Sequence, residues 1–199
     1  MSDFNLAEGY EIQDFSSLEE CFQVTDDNIV ANISSNNLYK IILDMISLLP
    51  EPVFFFIEAP CDDDEEKSLS SNNSTTHKKV YYLDNCNHKV ARAIMKRYGE
   101  LLINDGLVQF GFGSHSSEEE IYIKKYNLFS VYSNNISEYA KVFKNNNIKK
   151  TTKIKTAWDI LSNDNSGTCT MVEYNGESIY DIIENLADVG MYFSHNAED

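Results

Sequence analysis

Residues 1–39 contain no lysine or arginine, and neither do residues 156–199. All sixteen basic residues fall between Lys40 and Lys155, where fifteen carboxylates nearly balance them. The two ends carry eight and nine carboxylates with nothing of opposite sign, so the net charge of −16 belongs to the ends. Charge placed this way governs solubility, steering and partner choice more than fold. It also lacks the basic footprint of a nucleic-acid binder, so nucleic acid is not an expected partner. Cysteine is sparse and scattered. Cys21, Cys61, Cys86 and Cys169 form no Cys-x-x-Cys pair, which excludes a zinc ribbon and a thioredoxin-type motif. No apolar run approaches the ~20 residues of a membrane span; the longest obvious one is Val53–Ile57. The opening MSDFNLAEGYE is acidic where a secretory leader would be basic and then apolar. The expected setting is the cytoplasm, with reduced thiols and no membrane partner.

Catalytic signatures are missing too. No Gly-x-Ser-x-Gly and no Walker sequence occurs. Gly111-Phe112-Gly113 lacks the third glycine of a dinucleotide fingerprint and reads instead as a bulge or a close backbone approach. Ser162–Glu173 imitates a calcium loop, with Asp164, Gly167 and Glu173 in place, but Ser162 stands where the first aspartate is needed. A turn followed by a strand is the expectation there. Cys86 sits at a helix start, where a thiol can be activated, yet no orienting third group accompanies it and His88. His115 with Glu118, Glu119 and Glu120 is the best metal-like cluster. On a strand those glutamates alternate faces, so three ligands do not converge, and neither a metal nor a cofactor is expected.

What the chain does have is a patterned centre. In Leu107–Tyr132, residues alternate as Val108, Phe110, Phe112, then Ile121, Ile123, then Phe129, Val131. Period two marks half-buried antiparallel strands, and the polar breaks between them mark a meander. Val53–Glu58 is apolar throughout and reads as a central strand; Val80–Asp84 is its returning partner, and Thr168–Tyr174 a last strand. Helices are expected over about Asn36–Leu49, His88–Asn104, a short run around Ile136–Phe143, a short element holding Trp158, and Ser178–Val189. The expected fold is a single α+β domain over 1–199. It has a mixed, mainly antiparallel sheet, built from the meander 107–132 and strands near 53–58, 80–84 and 168–174, and is packed by four or five helices. Residues 60–79 read as a mobile polar loop. Residues 1–33 stay open: Tyr10–Phe15 and Cys21–Thr25 suit strands, and Ser16–Glu19 resembles a capping box opening a short helix.

The closing helix concentrates charge. Glu177, Asp181, Glu184 and Asp188 fall on one narrow stripe opposite Ile179, Ile182, Ile183, Leu186 and Val189. Like charges at i, i+4 weaken a helix by roughly 0.2–0.5 kcal/mol per pair, and a merely solvated face usually mixes signs. These four carboxylates are the expected partner-binding residues of an acidic protein-binding module that docks a basic protein. The class implied is an immunity or antitoxin-type inhibitor of a basic, nuclease-like bacterial toxin; the Asn/Ile/Lys-rich composition suggests the AT-rich coding of many bacteria. One alternative is a small enzyme with a pocket near His115, Glu118 and Tyr122, where a glycine-broken strand ends. The other is a non-catalytic structural or regulatory domain whose acidic stripe is covered by Lys149, Lys150, Lys153 and Lys155. Nothing in the sequence specifies an oligomeric state.

Overall fold

The computed structural model describes residues 4–26, 28–61 and 76–198. In chain order these form β1 (Tyr10–Ile12), β2 (Cys21–Val24), β3 (Asn28–Asn32), α1 (Ser35–Ile46), β4 (Val53–Pro60), β5 (His77–Cys86) and α2 (His88–Asn104). They continue as β6 (Gln109–Ser114), β7 (Glu119–Lys124), β8 (Leu128–Tyr132), α3 (Ile136–Asn145), β9 (Lys149–Lys150), β10 (Gly167–Cys169), α4 (Ile179–Ala187) and β11 (Tyr192–Glu198).

Nine strands make one mixed sheet in the order β11-β5-β4-β6-β7-β8-β3-β2-β9. Its pairings are antiparallel except β2 with β9, which is parallel. The meander β6-β7-β8 lies near the middle, as its alternation demands. Phe110, Phe112, Ile121, Phe129 and Val131 are fully buried on one face and join the helices' apolar stripes in a single core. From α1 come Leu38, Ile41, Ile42 and Met45, from α2 Ile94 and Met95, from α3 Tyr139 and Phe143, and from α4 Ile179, Ile182 and Leu186. Each fully buried large apolar side chain contributes about 1.5–3 kcal/mol relative to exposure.

The opposite face carries the other half of the alternation. One cross-strand row runs Tyr192, Tyr82, Phe56, Gly111, Tyr122. The glycines of β6 are not a bulge, because the pairing passes through them without a register shift. They make room for aromatic rings. A Cβ at Gly111 would stand 2.5 Å from the Phe56 ring, and one at Gly113 2.3 Å from the Phe54 ring.

Several expectations need correction. Thr168–Tyr174 is not a strand of the main sheet: only Gly167–Cys169 is extended, and it pairs with β1 in a separate two-stranded sheet. Ser16–Glu19 opens no helix. Trp158 is 56% exposed on a single 3-10 turn, touching Tyr126 edge-on, and Ala157 is the buried residue there. Val90 and Val189 are exposed, Val189 because α4 ends before it. The expected loop 60–79 is narrower at its described ends, since β4 reaches Pro60 and β5 starts at His77; its remainder, 62–75, lies outside the described residues. Strands β3 and β11 were not anticipated. β3 is too mixed to show alternation, and β11, YFSHNAE, is exposed nearly throughout.

The two chain ends form a second, smaller core. Phe4, Ala7, Tyr10, Ile12 and Leu18 pack with Tyr126 and Ala157, and half-buried Phe15, Ile160, Leu161 and Cys169 close around them. We refer to this as the terminal module. Polar side chains lock it to the sheet. Buried Asn127, in the left-handed region at φ 59°, donates to the carbonyls of Asn5 and Ile33 (both 3.0 Å) and accepts from the Ala7 amide (3.0 Å). Buried Asp105 accepts from the amides of Leu107, Val108 and Val172. Burial raises its carboxyl pKa, and those three donors oppose the shift. Gly9 and Gly106 let the backbones touch: a Cβ on Gly9 would stand 2.2 Å from the Gly106 nitrogen. No helix among the described residues is long and apolar enough to cross a membrane.

Candidate functional site

The closing helix holds its four carboxylates on one side, yet two are already engaged. Glu177 accepts from the Arg97 guanidinium of α2 at 2.5 Å. Asp181 closes a capping box on α4, accepting from the Ser178 amide (2.7 Å) and hydroxyl (2.8 Å), and those bonds hold its carboxyl below the usual aspartate value. Glu184 and Asp188 are exposed and form no ion pair with a described residue. The neutralisation by Lys149–Lys155 that the structural or regulatory alternative calls for forms no ion pair among the described residues. Lys149, Lys153 and Lys155 line a different concavity, beside Ser17, Glu19 and Cys21.

Carboxylates from the two ends meet elsewhere. β1 pairs with β10, so residues 8–14 lie against 165–170. Asn165 ties the edges, donating to the Asp14 carbonyl and accepting from the Asp14 amide (2.8 Å). Glu8 accepts from the Tyr174 hydroxyl at 2.7 Å. Exposed around this module are Glu8, Glu11, Asp14, Glu19, Asp159, Asp164 and Glu173. The stretches that build it, 4–20 and 156–175, include no lysine or arginine. Along the outer side of β1 runs a groove of about 630 Å³. Half-buried Leu6 and Phe15, with the edges of buried Ala7, Tyr10 and Ile12, supply its apolar lining, and Glu8 and Glu11 its charge. One physical fact makes this site: among the described residues β1 pairs only with β10, so its other edge is left without a strand.

His115 and Glu118 share a second cavity, of about 320 Å³, with Phe54, Ser114, Glu119 and Glu120. The His115 ring stacks on Phe54 at 4.4 Å, and its Nε2 lies 3.1 Å from Asp84 Oδ1. Tyr192 donates to the other Asp84 oxygen at 2.8 Å. Glu119 is turned inward, accepting from Ser133 (2.7 Å) and Tyr139 (3.0 Å). Burial raises the pKa of Glu120, and Lys124 opposes that shift. Tyr122 is not on this cavity; it stands edge-on to Phe56 at 5.2 Å. Among the described residues no three His, Cys, Asp or Glu side chains converge as a metal would require. Cys86 is buried and its thiol is pushed up to about 11 by burial, so it is not an activated nucleophile. The other cysteines are free as well.

Sequence reasoning located His115 and Glu118 together but missed Asp84, thirty-one residues earlier. It also missed the groove, because nothing local announces that β1 and β10 will meet. The one available signal was the shared absence of lysine and arginine at the two ends. Comparison with protein-family models, with curated proteins and with solved structures finds no match to this chain.

Proposed function

We propose that this chain is an acidic protein-binding module that docks a basic, partly apolar segment of a partner protein in the groove along β1. One observation carries the reading. Stretches 4–18 and 157–174, which lack lysine and arginine, fold against each other, and Glu8 and Glu11 border a groove along their junction. A field of one sign raises association rates and rejects like-charged partners, while the apolar floor supplies affinity that salt does not screen. An inhibitor that covers a phosphate-binding surface needs this arrangement, with carboxylates standing where phosphates would sit. An immunity or antitoxin-type inhibitor of a nuclease-like toxin belongs to that class. On the closing helix, Glu184 and Asp188 are the stripe residues still able to meet a partner.

A ten-residue peptide alternating arginine and phenylalanine tests the reading. Glu8→Lys with Glu11→Lys should weaken its binding about tenfold or more at low salt and flatten the salt dependence, since rim charges act mainly on association. Binding unchanged by the double reversal would remove the proposal.

A second reading has its own observation. His115 lines the second cavity and contacts Asp84 from an exposed position on the turn between β6 and β7, a carboxylate–imidazole pair of the kind that can orient a general base. It supports a small enzyme acting at that pocket. Here His115→Ala would abolish turnover and leave peptide binding intact.

A further inference from the structure

Lys149, Lys153 and Lys155 account for three of the chain's sixteen basic residues, and the docking groove makes no use of them. They line a cavity of about 100 Å³ together with Thr151, Ser17, Glu19 and Cys21. The lining follows a simple rule. Every second residue of 149–155 faces in from one side, and every second residue of 17–21 from the other. β9 holds one wall in place by pairing parallel with β2, Cys21 opposite Lys149 and Phe22 opposite Lys150. Thr151 extends that wall by donating its amide to the Phe22 carbonyl at 2.8 Å, and the Ile154 amide is pinned by Gln23 Oε1 at 2.9 Å. Buried Cys21 belongs to the same lining.

None of the three ammonium groups forms an ion pair with a described residue, in a chain with thirty-two carboxylates. Lys155 donates to the Ser17 hydroxyl at 3.0 Å, which leaves the Ser17 proton free to donate onward. Glu19 is the one carboxylate in the lining. Within the lining the positive groups outnumber the negative, which suits an anion; beyond it Asp14 faces Lys155, and Asp159 faces Lys153 and Lys155. The volume is about that of three liquid waters, room for one tetrahedral oxyanion and too little for a strand of nucleic acid. Lysine suits such a ligand because it acts as a compact point charge with three donors.

We infer that the cavity between residues 17–21 and 149–155 is a binding site for a phosphate group, free or carried by a small molecule. It lies apart from the β1 groove and is independent of the docking proposal. Titrating the protein with inorganic phosphate, pyrophosphate and glycerol phosphate, against chloride at equal ionic strength, tests it by amide chemical shifts. The expected result is saturable shifts at Cys21, Thr151, Lys153 and Ile154. Lys149→Ala and Lys153→Ala should each weaken binding about tenfold, from the loss of one charge-assisted contact. Glu19→Gln should tighten it by about two- to fivefold, a variant that removes no lysine and leaves the walls intact. Tighter binding of inorganic phosphate than of glycerol phosphate would assign the free ion; the reverse order would assign a phosphate ester. Shifts that never saturate, or that chloride reproduces, would overturn the inference. So would a short single-stranded DNA that binds far more tightly with contacts spread beyond these residues.

Discussion

The main sheet and the terminal module are held together by different physics. Central strands β4 and β6–β8 bury contiguous apolar faces against four helices, and their order along the meander follows the chain. The terminal module has strands of three residues each, joined from positions more than 150 residues apart. Its attachment relies on Asn127, Asp105 and the Gly9–Gly106 contact as much as on its small core. The sheet-forming centre of the chain is nearly neutral, whereas the module is negative throughout. Stability therefore resides mainly in one region, and recognition is proposed for the other.

Substitutions can separate the two. Phe112→Ala removes a fully buried ring packed 5.1 Å from Phe55 and should cost about 3–5 kcal/mol in a urea unfolding curve. A smaller loss would mean that the sheet repacks around the gap. Asn127→Ala removes the partner of the Ala7 amide and of the Ile33 carbonyl, while the Asn5 carbonyl keeps the Ser35 amide, at a cost of about 1–3 kcal/mol. Its hydrogen-exchange signature should be local, fast at residues 5–12 and slow in β6–β8. Uniform acceleration would show that the regions unfold as one.

Acid should loosen the module through Asp14 and Asp159, against the opposite pull of Asp105, whose raised carboxyl pKa favours the fold on protonation. Asp14 is held low by the Ser16 hydroxyl and amide, and Asp159 by the Thr156 amide and hydroxyl. A depressed carboxyl stabilises the fold fully above its unfolded value of 3.8, and that stability is lost as pH falls through the lower folded value. Trp158, the only tryptophan, lies edge-on to Tyr126 in the module and reports on it selectively. Its fluorescence should change earlier in an acid titration than the far-ultraviolet circular dichroism of the sheet; coincident transitions would remove the distinction. The smallest effect is expected at Arg97→Gln. The exposed pair with Glu177 is well screened, so the urea midpoint should stay nearly fixed.

What could be read from sequence follows the same division. Alternation in Phe110–Phe112, Ile121–Ile123 and Phe129–Val131 placed the meander because each strand buries one face. Ser178, the cap of α4, was equally visible, and the cap of α2 was narrowed to Asn85 or Asn87, of which Asn87 is the one that accepts from the Val90 amide, since a capping side chain acts within its own turn. The terminal module was not legible. Its strands are too short to show a period, and the side chains that attach it, such as Asn127 to Ala7, act over more than a hundred residues. The charge stripe of the closing helix was real in spacing but incomplete as a surface, because Arg97 reaches Glu177 from eighty residues away and Asp181 is spent on the cap of its own helix. At the second cavity His115 was visible and Asp84 was not, for the same reason.

The most direct test is to map the arginine–phenylalanine peptide onto the backbone amides by nuclear magnetic resonance. The account predicts saturable shifts concentrated in residues 6–15 and 166–168, weakening as salt rises. Shifts centred instead on Glu184 and Asp188, on the His115 cavity, or nowhere, would contradict it.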